Sequence, residues 1–170
     1  MALTNLTAYV IMRNMKKIPL TQGKFALIDD IDYAFLSQWN WRVDPHGYAI
    51  RHSLKSEHGD GPRTTVKMHR SVLQRVETLI KNVDHINRDK LDNRRSNLRQ
   101  ATASQNGQNT NPRRRFKGVY FSKDHQKFRA RIFASRWIDL GYFDDIVDAA
   151  KAYNKAALEH FREFARLNDV

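Results

Sequence analysis

The run Gly107-Gln108-Asn109-Thr110-Asn111-Pro112-Arg113-Arg114-Arg115 limits the possible folds more than any other stretch of the chain. Polar residues, a proline and three consecutive arginines contribute nothing to a core, so the run reads as a linker with its boundary near Pro112. The 170 residues therefore fall into a longer N-terminal and a shorter C-terminal part. At 41% hydrophobic residues, each part can build only a thin core. The expected division is residues 1–110, a basic linker at 111–115, and residues 116–170.

Residues 1–80 read as short strands around a small helix. Gly23 to Ile28 forms a strand, and Asp29 or Asp30 caps a helix over Asp32 to Leu36. Trp39 to Val43 alternates, Pro45-His46-Gly47 turns, and Tyr48 to Arg51 returns as the hairpin partner. Lys55 to Arg63 is expected to be a loop, and Thr64 to Lys67 another strand. Met68 to Leu79 has helical spacing, with Val72, Leu73, Val76 and Leu79 on one stripe. Trp39 and Trp41 are read as core or domain-packing residues in preference to base-stacking ones, and His46, His52 and His58 have no paired ligand spacing.

Residues 81–110 concentrate the chemistry. Val83 to His85 is a short strand, Asn87 to Ser96 a polar loop, Asn97 to Arg99 a second strand, and Ala101 to Asn109 a helix capped by Thr102 or Ser104. Asp84 stands next to His85, Asn97 follows twelve residues later, and Asn106 nine residues beyond that. Such a set can serve phosphodiester hydrolysis, which needs a deprotonated, aimed water and relief of charge on the phosphorane and on the leaving oxygen. A divalent cation supplies the last two. Magnesium accepts one or two protein oxygens and keeps its other positions for water and phosphate, so the Asp84 carboxylate and the Asn106 carbonyl suffice. Neutral His85 can take the proton from the attacking water, and Asn97 can hold it in the required tautomer through a side-chain or backbone hydrogen bond.

The runs Val83-Asp84-His85-Ile86-Asn87, Lys90 to Arg99 and Ser104-Gln105-Asn106 resemble the HNH endonuclease motif of phage and intron-encoded enzymes, in its asparagine-ended variant. The resemblance extends upstream through Ile18 to Lys24, Trp41-Arg42, Gly47-Tyr48-Ala49 and Met68-His69-Arg70. It implies a ββα-metal fold, with Asp84 and Asn106 on one Mg2+ or Mn2+ ion, His85 as general base and Asn97 as the middle letter of the motif. Asn109, on nearly the same helix face as Asn106, could share its role. His69 is read as structural or DNA-contacting in preference to catalytic.

Beyond the linker, Val119 to Phe121, Phe128 to Phe133 and Trp137 to Phe143 read as three strands, and Asp144-Asp145 precedes a helix from Ile146 to Phe161. Phe116-Lys117-Gly118-Val119-Tyr120, Leu140-Gly141-Tyr142-Phe143, Ala149 to Ala157 and Phe164 to Asn168 resemble the AP2 DNA-binding domain, which lays a three-stranded sheet in the major groove. Alternation turns Phe128, Ala130 and Ile132 toward the helix and Arg129, Arg131 and Phe133 outward, with Lys117, Tyr120, Ser122 and Arg136 joining that surface. Plant members of that family carry arginine, glutamate and tryptophan where this chain has Tyr120, Arg131 and Asp139, so their base contacts do not transfer.

The formal net charge of +12 points to a polyanionic partner. The absence of cysteine excludes disulfides and a four-cysteine structural zinc site. With no signal peptide and no membrane-length apolar run, the chain is expected to be soluble and cytoplasmic, in a phage-infected or host cell by the resemblance. The combined expectation is an α+β, homing-type endonuclease on double-stranded DNA, monomeric or homodimeric, that nicks or cuts both strands. Arg94, Arg95 and Arg99 would contact backbone near the cut, and Arg113, Arg114 and Arg115 would track phosphate from the linker. The alternative is a catalytically decayed, sequence-specific DNA-binding protein. An RNA-binding protein, with aromatics exposed on a sheet, is a third reading.

Overall fold

The computed structural model describes residues 15–75, 82–111 and 115–170. Val76 and Leu79 of the expected helical stripe, Pro112, Arg113 and Arg114 lie outside the described residues, as does the side chain of His58. The fold is α+β, and its contacts divide it into two units, 1–101 and 102–170. The helix expected to carry Asn106 falls on the C-terminal side of that division.

In the first unit, β1 (Met15–Pro19) and β2 (Phe25–Asp29) form an antiparallel ribbon. Alternation along it sends Ile18, Ala26 and Ile28 inward. Helix α1 (Asp30–Leu36) follows directly. Asp29 is its N-cap residue but makes no side-chain cap; its Oδ2 instead accepts the backbone N–H of Arg95 at 2.8 Å. The strands β3 (Arg42–Val43), β4 (Ala49–His52) and β5 (Thr65–Lys67) make a three-stranded antiparallel sheet.

The segment expected as loop from Lys55 contains one helical turn, α2 (Lys55–His58). The Glu57 carboxylate fixes it by accepting from Leu54 N at 2.6 Å and from Arg51 Nη1 at 2.7 Å. Helix α3 (Met68–Gln74) buries Met68, Val72 and Leu73. The ribbon of β6 (Val83–His85) and β7 (Leu98–Gln100) adds Val83 and Leu98 to the same core, which includes Trp41 with Trp39 packed against it.

The second unit begins with α4 (Ala103–Gln108). Thr102 caps it in a reciprocal capping box with Gln105. The strands β8 (Val119–Ser122), β9 (Lys127–Ala134) and β10 (Arg136–Phe143) form an antiparallel sheet in the order β10-β9-β8. Helix α5 (Ile146–Phe161) lies on one face. Asp145 caps it, accepting from the N–H groups of Val147 at 2.6 Å and Asp148 at 3.2 Å. Ala130 and Ile132 meet the buried Ala149, Ala150, Tyr153 and Ala157. Small helix residues let the sheet approach closely. Gly118 shows how closely: at φ +74° an added Cβ would lie 2.1 Å from the Tyr153 ring and 2.6 Å from the carbonyl oxygen of Arg131. Asn168 latches the tail to the segment just before β8, its side chain accepting from Lys117 N at 2.7 Å and donating to Lys117 O at 3.2 Å. No helix among the described residues is long and apolar enough to cross a membrane.

Candidate active site

Asp84 and His85 end one strand of a two-stranded ribbon, and the register decides their surroundings. Asp84 pairs across with Arg99, and His85 with Leu98. Asp84 is 4% exposed, so its carboxylate needs a cation. The cross-strand neighbour provides one: Arg99 places Nε at 2.9 Å and Nη2 at 2.6 Å from Oδ2 of Asp84.

His85 is 5% exposed and lies in a cluster of three rings. His69 meets it edge-on at 5.0 Å between centroids, and Tyr48 lies 6.0 Å away. Tyr48 also touches His69 at 5.2 Å. Burial lowers the His85 pKa below the ordinary histidine value, against the opposing pull of an Asn93 hydrogen bond and the Asp84 charge. Burial, with the nearby His85 and Lys67, lowers His69 to about 3, which leaves it a neutral ring. The Tyr48 hydroxyl is raised, first by burial and then by the charges of Asp44 and Asp84.

Asn93, only 1% exposed, is the ring's hydrogen-bond partner. Its Oδ1 lies 3.4 Å from His85 Nε2, while its Nδ2 donates to Leu91 O at 3.1 Å. The second bond orients the amide, so the oxygen faces the imidazole. Asn97 acts elsewhere. Its Oδ1 accepts from Asn87 N at 2.9 Å, its Nδ2 donates to Asp92 O at 2.7 Å, and its carbonyl accepts from Ile86 N at 2.9 Å. It closes the loop that follows His85.

That loop is pinned to β2. Leu27 N donates to Leu91 O and Asn93 N to Leu27 O, each at 2.8 Å. Two side chains turn the chain locally: Asn87 Oδ1 accepts from Asp89 N at 2.8 Å and Asp89 Oδ1 from Leu91 N at 2.9 Å. The three arginines expected to contact backbone near the cut, Arg94, Arg95 and Arg99, all have carboxylate partners within the unit. Arg94 chelates Asp92 at 2.8 and 2.6 Å, and Arg95 chelates the fully buried Asp32 at 2.8 and 2.7 Å. Burial pushes the Asp92 carboxyl up, but its hydrogen bonds from Arg94 outweigh that and hold it below the usual range.

Sequence reasoning brought Asp84 and His85 together and read His69 as structural or DNA-contacting, but it missed Asn93 and Tyr48. Asn93 stands inside the quoted Asp92-Asn93-Arg94 run, but its aim depends on a bridge to β2, which spacing along the chain does not reveal.

Asn106 is half-buried on α4 of the second unit, and Asn109 there is buried. The remaining candidates lie on the same unit. Lys117 donates its ammonium to the carbonyls of Gln108 and Thr110. On the sheet face away from α5, the Arg131 guanidinium covers Tyr120 at 5.0 Å and Trp137 at 4.1 Å. Arg129 is chelated by Asp139, with Nε at 2.9 Å. Trp137 is 59% exposed, Phe133 packs edge-on against it at 5.3 Å, and Arg136 and Arg115 are exposed.

Among the described residues no group of three or more His, Cys, Asp or Glu is placed to hold a metal ion, so a zinc-type site is absent there. A magnesium-class ion asks less, and a buried carboxylate that already draws a cation is an oxygen donor of the right kind.

Residues 66–108 match the model of a family described as HNH endonuclease. The segment holds Asp84, His85, Asn93, Asn97, Arg99 and Asn106. It is an HNH endonuclease domain, and the class of protein it defines is a DNA endonuclease. Over 159 residues the chain is 28% identical to a protein named as an uncharacterized HNH endonuclease, from Acanthamoeba polyphaga mimivirus, a match covering 88% of this chain and 77% of that protein.

Proposed function

We propose that this protein is a homing-type endonuclease that hydrolyses phosphodiester bonds of double-stranded DNA with the help of one divalent metal ion, His85 being the general base. The observation that carries this reading is the buried Asp84–His85 pair with the imidazole oriented by Asn93. Asn93 presents an acceptor to Nε2, which favours the tautomer with the ring proton on Nε2 and the lone pair on Nδ1. Nδ1 is then the atom that takes the proton of the attacking water. Burial keeps the ring neutral and ready at neutral pH.

Asp84 is the proposed carboxylate ligand, and Asn106 the proposed carbonyl ligand on the strength of the sequence motif. A magnesium or manganese ion, when bound, supplies charge stabilisation to the phosphorane and the leaving 3′ oxygen. Arg99, whose guanidinium holds Asp84, would supply positive charge next to the proposed carboxylate ligand. Asn97 keeps the loop after His85 closed.

The second unit is proposed to fix the enzyme on the duplex through its open sheet face, in the AP2 manner. Support comes from its topology and from the arginines and aromatics on that face. The test is incubation of supercoiled plasmid with magnesium, wild type beside His85→Ala, with binding followed in parallel. Wild type should nick or linearise the plasmid, and His85→Ala should bind equally and cut about a hundredfold or more slower. Binding without cutting by the wild type, even on sequence from the gene's own locus, assigns the chain to DNA binding alone.

A further inference from the structure

Two ammonium groups crowd one aromatic ring beside His85. Lys67 Nζ lies 4.8 Å and Lys90 Nζ 4.7 Å from the centroid of Tyr48. Tyr48 is the ring that contacts both His69 and His85. Three separate elements bring these groups together: Tyr48 precedes β4, Lys67 ends β5, and Lys90 lies in the pinned loop after His85. Lys90 is held in place, donating to the carbonyl of His46 at 2.8 Å. Both lysine side chains are half-buried, neither forms an ion pair with a carboxylate among the described residues, and each stem lies against protein while the charge remains near the surface.

Like charges gathered at one ring repel, and the ring's quadrupole offsets only part of this. A phosphate within reach of both ammonium groups offsets the repulsion and gains two charge-assisted hydrogen bonds. A substrate whose backbone carries one negative charge per nucleotide brings such an anion alongside whichever phosphate faces His85. We infer that Lys67 and Lys90, laid over Tyr48, seat a DNA phosphate next to the one that is cut. The seat deepens the nuclease reading and rests on it for its place beside the scissile bond. It is also distinct from the arginines of the motif loop, whose charges go to Asp92, Asp32 and Asp84.

The experiment is the salt dependence of binding to a short fluorescent duplex of arbitrary sequence, in chelator, for wild type and for Lys67→Met/Lys90→Met. Methionine keeps an apolar stem on Tyr48 and removes the charge. A Lys151→Met/Lys155→Met control removes the same charge from exposed positions on α5. The seat predicts that the slope of log K against log salt falls by about one in the Lys67/Lys90 variant and by little in the control. Arginine at both positions should restore it. Equal slopes for variant and control overturn the seat. If the double variant does not fold by circular dichroism, each single substitution is read the same way. Plasmid cutting in magnesium separates the two claims. A wild type that never cuts, with the slope change present, removes the nuclease reading and leaves a phosphate seat. A wild type that cuts, with no slope change, removes the seat and leaves the nuclease.

Discussion

His69 contributes a neutral ring to the packing around His85, and its burial has a thermodynamic signature. Its folded pKa, about 3, is far below the ordinary value near 6.5. Between those values the unfolded chain binds a proton that the folded chain refuses, so stability is complete above 6.5 and falls as pH drops toward 3. The loss should approach about 1.4 kcal/mol per pH unit inside that window. Chemical denaturation at a series of pH values checks it, and His69→Phe should flatten the dependence. His85, also lowered, predicts cutting that persists to pH values below the ordinary histidine range before its acid limb begins.

Arg99 gives a second prediction at this scale. Arg99→Gln leaves Asp84 without its cross-strand cation, which should cost about 3 kcal/mol or more without metal. Magnesium or manganese should then raise the melting temperature of the variant more than that of wild type, because a bound cation replaces the lost one. Equal shifts would remove Asp84 from the list of metal ligands. Asp84 and His85 were legible in the sequence because they are adjacent within a spaced motif. Asn93 was not, because its aim depends on Leu27 and Leu91, neither of which has a side chain that signals chemistry.

Among the elements, the three strands and helix of the second unit were legible because alternation and helical spacing both had room to show. Val119, Ala130 and Ile132 alternate onto a helix face of Ala149, Ala150, Tyr153 and Ala157. The single turn α2 was not, since Lys55-Ser56-Glu57-His58 carries no apolar stripe and is held by Glu57 contacts made with Leu54 and Arg51. Asp29 stands at the N-cap of α1, one of the two positions the sequence offered, but its side chain serves Arg95, sixty-six residues away. Gly118→Ala tests the closest approach in the second unit. The methyl would meet the Tyr153 ring and a backbone oxygen at a positive φ, so a loss of about 3 kcal/mol is expected by urea denaturation.

For the whole molecule, two hydrophobic clusters share no residue. One runs from Ile18 to Leu98 and the other from Phe116 to Ala157. Separate cores of this size favour separate melting, and calorimetry should resolve two transitions. Gly118→Ala should lower only one of them, and acidification through the upper part of the His69 window, above the carboxylate range, should lower chiefly the other. The linker composition put a break near Pro112, whereas the contacts divide the chain between Ala101 and Thr102. The membership of α4 was not legible, because its capping box and polar face suit either side of that break and only tertiary contacts decide.

The loop after His85 has one more consequence. Its backbone N–H groups at Asn87, Asn93, Arg95 and Asn97 are all bonded to buried or half-buried acceptors, two of them supplied by Leu27 and Asp29 of β2. Loops ordinarily exchange their amide protons with solvent quickly. Here a segment with almost no regular structure should exchange among the slowest in its unit, more slowly than the open edges of β3 or β5. Deuterium labelling would therefore mark the loop, and not the surrounding sheet edges, as the part of the unit that opens only on global unfolding.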